Sequence, residues 1–329
     1  MMVKTIDNKR YNAERKYQSE IAKRNLEQDE VLKSLYEESR KRVQQQIDNF
    51  YFKYASNNGL SVAEARKLAS EMDVTKFNDR AREAVRTKDF SKDTNSFLRL
   101  YNLKLKTSRL ELLKAEIDLE ARSLTADANS LFDKARQDTL IREFKRQAGV
   151  LGISKTSVPN NIKAILNADF YGAKFSERVW GPQGVYSNLQ RDLFGSLNRI
   201  YTDMAGYKKE RAYLSQRYNV SLSNAQRLLK TEMSRIRADT ELKMLKDNGF
   251  THMIYVAESG ACRICAPLDA KAIPIEDVSP GVNMYPMHPN CVCSAYGHIK
   301  MDYKSGGSSL DREAVNGVWD SNDFPEAKT

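Results

Sequence analysis

The sequence predicts a mainly α protein with a small α+β domain towards its C-terminus. An elongated helical N-terminal bundle is followed by a small sheet clamped by a Cys/His metal-type site. Three observations predict this. The first 148 residues contain one glycine, Gly59, and no proline, a scarcity of breakers that only long helices tolerate. Apolar residues recur there at helical spacing. At His252 the pattern shifts to a short continuous apolar run, and every cysteine in the chain lies just beyond it.

In chain order, Leu32, Leu35, Tyr36, Val43, Ile47, Phe50, Tyr51 and Tyr54 form one helical stripe. Ser61 and Glu64 read as a capping box that opens another helix. A second stripe runs through Leu110, Leu113, Ile117, Leu124, Ala128 and Leu131. Gly149 to Gly152 and Ser157 to Asn161 supply turn chemistry, so a domain boundary is expected near Gly149. The expected organisation is a helical domain over 1–149, a second domain over 150–300 and a flexible tail over 301–329.

Trp180 to Gly184 reads as a loop, and a helix follows from Val185 to about Ala205. Tyr218 to Ser223 reads as a turn, with Ser221 as N-cap of a helix reaching about Lys246. Gly249 suits a left-handed C-terminal cap. His252–Ala257 reads as a buried strand, and extended pieces near Lys271–Ile275 and Cys291–Ala295 are candidates to pair with it. The last stretch is rich in Ser, Gly and Asp, with Trp319 as a potential anchor.

The formal net charge is +10, the pI is about 9.2 and the mean hydropathy is −0.62. A basic surface attracts polyanions, of which nucleic acid is the common one. No run of 18 apolar residues occurs and the first residues lack an apolar stretch, so neither a transmembrane helix nor a secretory signal is expected. Phosphate-binding loops and nucleophile elbows are absent from the sequence, and no catalytic role is expected.

One constellation has chemistry in it. Cys262-Arg263-Ile264-Cys265 is followed by 22 residues and then by His288-Pro289-Asn290-Cys291-Val292-Cys293. A Cys-x-x-Cys turn lets two thiolates share one ion, and structural zinc sites take four Cys or His ligands. Five candidates, Cys262, Cys265, His288, Cys291 and Cys293, serve four places. Disulfides and buried free thiols are the competing readings. The linker between the halves carries Pro267, Pro274, Pro280 and Pro286 and is too short for a core of its own, so a structural Zn2+ cross-link would offset its ordering entropy. Glu258, Asp269, Glu276 and Asp277 read as solvated surface, and His252 and His298 as ordinary strand or loop residues. Glu232 and Arg235, three apart on a helix, read as a solvated pair; a buried role for Arg227 and Glu232 is the alternative.

In order, the segments Arg227-Leu228-Leu229-Lys230-Thr231-Glu232, Asn248-Gly249-Phe250, Glu258 to Cys265, Leu268-Asp269-Ala270-Lys271 and Tyr285 to Cys293 resemble the Mu F-like domain of phage head morphogenesis proteins. The resemblance covers about Trp180 to His298. Ala270 stands where that family usually has Gly, and Val292 where it usually has Arg. The resemblance implies a minor head protein of a tailed double-stranded DNA bacteriophage. Such a protein sits inside the virion head and is made in the host cytoplasm. Its implied partners are the portal, packaged DNA and other capsid or scaffolding proteins. The alternative, a zinc-stabilised nucleic-acid-binding regulator, lacks the finger spacing in which a Cys pair is followed by a His pair.

Overall fold

A computed structural model describes residues 7–55, 86, 92–154, 157–169, 172–202 and 207–299. The expected helix at Ser61, the tail 301–329 and Trp319 lie outside the described residues. Two long helices dominate: α1 (Asn8–Ala55) and α2 (Lys92–Val150). Two short helices, α3 (Asn160–Lys163) and α4 (Phe175–Trp180), lead into α5 (Val185–Thr202) and the long α6 (Tyr207–Asp247). Three strands follow: β1 (His252–Val256), β2 (Ala272–Pro274) and β3 (Ser294–His298).

The two stripes read from the sequence are the buried faces of α1 and α2. Leu32, Tyr36, Val43 and Ile47 pack against Leu113, Ile117, Leu124 and Ala128, with Leu35 and Leu131 at the margin. The side chains of Phe50, Tyr51, Tyr54 and Leu110 are not among those described. The same core takes in Leu189, Leu193 and Leu197 of α5 and Leu214, Tyr218, Ala225 and Leu229 of α6. The chain turns where expected, with Gly152 at φ +63°. The main core nevertheless crosses that point and is shared by helices from both sides of it.

The turn expected at Tyr218–Ser223 does not form; α6 runs straight through it. Asn219, Ser221 and Ser223 favour caps in isolation. Here Leu214, Tyr218 and Ala225 are buried on one side of the helix, and Ser221 is buried with its hydroxyl donating to Tyr36 Oη at 3.4 Å. Tertiary packing outweighs a local preference worth about 1 kcal/mol.

The sheet has the order β2-β1-β3, all antiparallel, with Met253 opposite Ile273 and Gly297, and Ile254 opposite Ala272 and Tyr296. Strand β3 starts three residues later than the sequence reading placed it, so Cys291 and Cys293 lie on the approach to the strand. β1 is buried on both faces. Met253, Tyr255 and Ala257 meet Ala238 and Leu245 of α6 and the cysteine loops, whereas Ile254 and Val256 meet Tyr296 and Tyr11 of α1.

The first turns of α1 therefore clasp the sheet from outside. Gln18 Nε2 donates to the Val256 carbonyl at 2.9 Å and to Ser294 Oγ at 3.0 Å. Arg10 donates to the Gly297 carbonyl at 3.1 Å, and Arg15 to that of Ala257. Tyr11 Oη donates to the Asp269 carboxylate at 2.8–2.9 Å.

Candidate metal centre

Two tight turns bring the cysteines together. In the first, the backbone N–H groups of Cys265 and Ala266 donate to the Cys262 carbonyl at 3.1 and 2.9 Å. The chain enters it through Gly260, at φ +83°. In the second, Cys291 N–H donates to the His288 carbonyl at 3.2 Å, with Asn290 at φ +64°. Thr231 of α6 props this second turn, its hydroxyl accepting from Asn290 N–H at 3.2 Å.

Cys262 Sγ lies 3.2 Å and Cys265 Sγ 3.4 Å from His288 Nε2, and Cys265 Sγ lies 3.9 Å from Cys291 Sγ. Tetrahedral zinc, at about 2.3 Å from sulfur and 2.0–2.1 Å from nitrogen, sets its ligand atoms roughly 3.5–3.8 Å apart. The five side chains form two triads, Cys262–Cys265–His288 and Cys265–Cys291–Cys293, with all ligand atoms in each within 4.8 Å of one another. Cys265 belongs to both. The cluster could hold a metal ion. Cys265, Cys291 and Cys293 are buried and Cys262 half-buried.

Two further observations fit a cation at this place. His288 Nδ1 lies 2.9 Å from the Pro289 carbonyl, an obligate acceptor, so Nδ1 carries the proton and Nε2 turns its lone pair to the sulfurs. The Tyr255 hydroxyl is buried with no hydrogen-bond partner. Burial first, and then negative charge on Cys291 and Cys293 near it, hold it protonated. Thiolates held by a cation would give that orphaned donor an acceptor.

The electrostatics already pull two of the thiols down. The backbone N–H groups of Cys265 and Ile264 pull the Cys262 thiol below its usual value. A hydrogen bond from Cys293, helped by backbone N–H groups and the His288 ring, brings Cys291 down to about 5. Burial pushes Cys265 up to about 12. The bond to Cys291 and burial raise Cys293. Burial disfavours the His288 cation, but the Pro289 carbonyl and the adjacent thiolates outweigh it and raise its pKa.

The other sequence candidates fall into place around this centre. His252 and His298 face each other across the β1–β3 pair, ring centres 6.5 Å apart, outside the cluster. Glu276 and Asp277 are exposed. Asp269 is not idle surface, because it accepts from Ala257 N–H at 2.9 Å as well as from Tyr11. Glu258 is half-buried, and its carboxyl pKa is raised, chiefly by burial.

The solvated reading of Glu232 and Arg235 is corrected. Arg235 is fully buried and grips Glu232 through two hydrogen bonds of 2.8 Å. It also donates to Asp239 Oδ2 at 2.7 Å and to the Ile165 carbonyl at 3.0 Å. Arg136 of α2 reaches the same Glu232 at 3.1 Å. The turn after α3 and a helix about a hundred residues away close over a pair that is only three residues apart in sequence. Arg227 stays exposed and donates to Asn224.

Sequence reasoning did not find a second polar cluster, beneath the sheet. Glu14 of α1, Glu143 and Arg146 of α2 and Glu241 of α6 meet there, with Tyr17 donating to Glu143 at 2.9 Å and Tyr285 to Glu241 at 2.7 Å. Each residue alone reads as helix surface. One signal was available, since Glu241 falls on the same side of α6 as Ala238 and Leu245.

No helix among the described residues is long and apolar enough to cross a membrane. In comparisons with family models, curated proteins and solved structures, nothing matches this chain.

Proposed function

We propose that this chain is a minor head protein of a tailed double-stranded DNA bacteriophage. It acts in head morphogenesis at the portal and carries a structural zinc ion. Cys265 and three of Cys262, His288, Cys291 and Cys293 hold the ion, whose role is to tie two proline-rich loops to the sheet. One observation carries the reading: the short stretches that resemble the Mu F-like domain converge on one structural unit. Thr231 props the His288–Cys291 turn, Asp269 fastens the end of β1 and Gly249 turns α6 into β1 at φ +72°. The excess of Lys and Arg supports an additional contact with packaged DNA through phosphates.

Size-exclusion chromatography with mass detection, on a mixture of the purified chain and its cognate portal, tests the proposal. Co-elution at a defined ratio is the expected result. Separate elution at micromolar concentrations overturns the portal role. DNA binding should weaken steeply between low and physiological salt; binding indifferent to salt would remove the phosphate contact.

A further inference from the structure

Beside the metal centre, α4, α5 and α6 and the Pro286–Pro289 turn enclose an open groove of about 1090 Å³. Its apolar lining includes Val185, Leu189, Leu228 and Met287. Arg191 and Arg227 also line it, and among the described residues their hydrogen bonds reach only neutral acceptors, the Pro182 carbonyl at 3.2 Å and Asn224 Oδ1 at 2.8 Å.

Two of the three carboxylates along the groove are paired with arginines. Glu232 is held by Arg235 and Arg136. Asp192 pairs with Arg217 at 2.7 Å. Glu177, on α4, accepts from the Lys174 N–H at 2.9 Å in a capping box, a neutral donor that leaves its charge in place. The groove thus offers apolar surface beside two guanidiniums that, among the described residues, bond to no carboxylate.

Two classes of polyanion meet such a surface. A single nucleic-acid strand binds by stacking bases on aromatic rings, and among the described residues no aromatic one lines this groove. Duplex DNA is a convex rod and does not enter a concave slot. A polypeptide segment uses both features, setting apolar side chains against the apolar lining and pairing carboxylates with the guanidiniums.

We propose that this groove docks a segment of a partner protein in which apolar residues are flanked by Asp or Glu. The inference deepens the head-protein reading and rests on it only for who the partner is. Arg227 lies in the same helical turn as Thr231, which supports the His288–Cys291 turn, so an occupied groove would lie against the metal centre.

The test selects short displayed peptides on the full chain, then titrates the selected peptides by fluorescence anisotropy. The variants are R191E/R227E, Val220→Glu on the exposed groove wall, and Lys41→Glu on exposed α1 as control. The expected peptides are enriched in Asp and Glu around apolar residues. R191E/R227E and Val220→Glu should weaken them by about tenfold or more, with Lys41→Glu unchanged. Peptides without acidic enrichment, or equal binding by R191E/R227E, overturn the proposal. So does a short single-stranded oligonucleotide whose binding, unlike that of the peptides, depends on Arg191 and Arg227. Portal co-elution that survives R191E/R227E removes the groove and leaves the head-protein reading. Selected peptides that bind while the portal does not keep the groove and remove the portal.

Discussion

Replacing Arg146 by Met should destabilise the protein by about 3–5 kcal/mol near neutral pH, the usual cost of breaking a buried ion pair from one side. The upper end applies, because one guanidinium serves three carboxylates. It reaches Glu143 at 2.8–3.2 Å, binds Glu14 and lies 3.9 Å from Glu241, with Glu143 and Glu241 side chains fully buried. It also sits 4.4 Å from the Tyr17 ring centre, a cation–π interaction that a neutral Met cannot make.

The loss should depend on pH. Burial raises the pKa of Glu14 and Glu241 in the native protein. Their contribution to stability is therefore present below the ordinary carboxylate range and falls as pH climbs through their raised values. Burial acts on Glu143 as well, but Arg146, Gln147 and Arg237 outweigh it and lower its pKa. Its contribution is present above the ordinary range and is lost on acidification through the depressed value. Removing Arg146 raises all three, so the variant's deficit should be large at pH 8 and shrink at pH 5, where the carboxyls take up protons. Urea unfolding followed by circular dichroism, on variant and wild type at both pH values, measures it. A deficit under about 1 kcal/mol at pH 8, or the same deficit at both pH values, refutes the reasoning.

Three further outcomes are expected. Protein purified without chelator should contain about one equivalent of zinc, and Cys265→Ser should lower this below about a tenth, because Cys265 is common to both triads; four freely titratable thiols in the wild type would count against the centre. Ala270 adopts φ +60°, a left-handed conformation that costs an L-residue about 1 kcal/mol or more, so Ala270→Gly should stabilise by about 0.5–1 kcal/mol and raise Tm by about 2 °C; a lower Tm contradicts this. A Cβ on Gly297 would run into Leu245 and stand 2.5 Å from Phe250 Cδ1, so Gly297→Ala should cost about 1–3 kcal/mol in thermal or urea unfolding.

The long helices were legible because breakers are missing and the apolar stripes are regular. The cysteine cluster was legible because its spacing is that of paired metal turns. What escaped reading is what other parts of the chain decide. Ser221 looks like a cap until Tyr36 and the packing of Tyr218 are known. Glu232 and Arg235 look like a surface pair until Arg136 and the Ile165 carbonyl close over them. Tyr255 reads as a strand aromatic, and only the fold places its hydroxyl among sulfurs. Ala270 takes a left-handed conformation that a glycine would adopt at lower cost.

The clasp of α1 on the sheet sets an order of events during synthesis. Gln18 bonds to Val256 across 238 residues, and Arg10 to Gly297 across 287. At about 5–20 residues per second, a ribosome needs roughly 12–50 s to make the first of these partners after Gln18 has emerged. The apolar stripe of α1 waits for α2 and then α6, Glu14 waits for Glu241, and the sheet contacts come last. Such long-range closure belongs to slowly folding topologies, and the nascent helix is the part most in need of shielding.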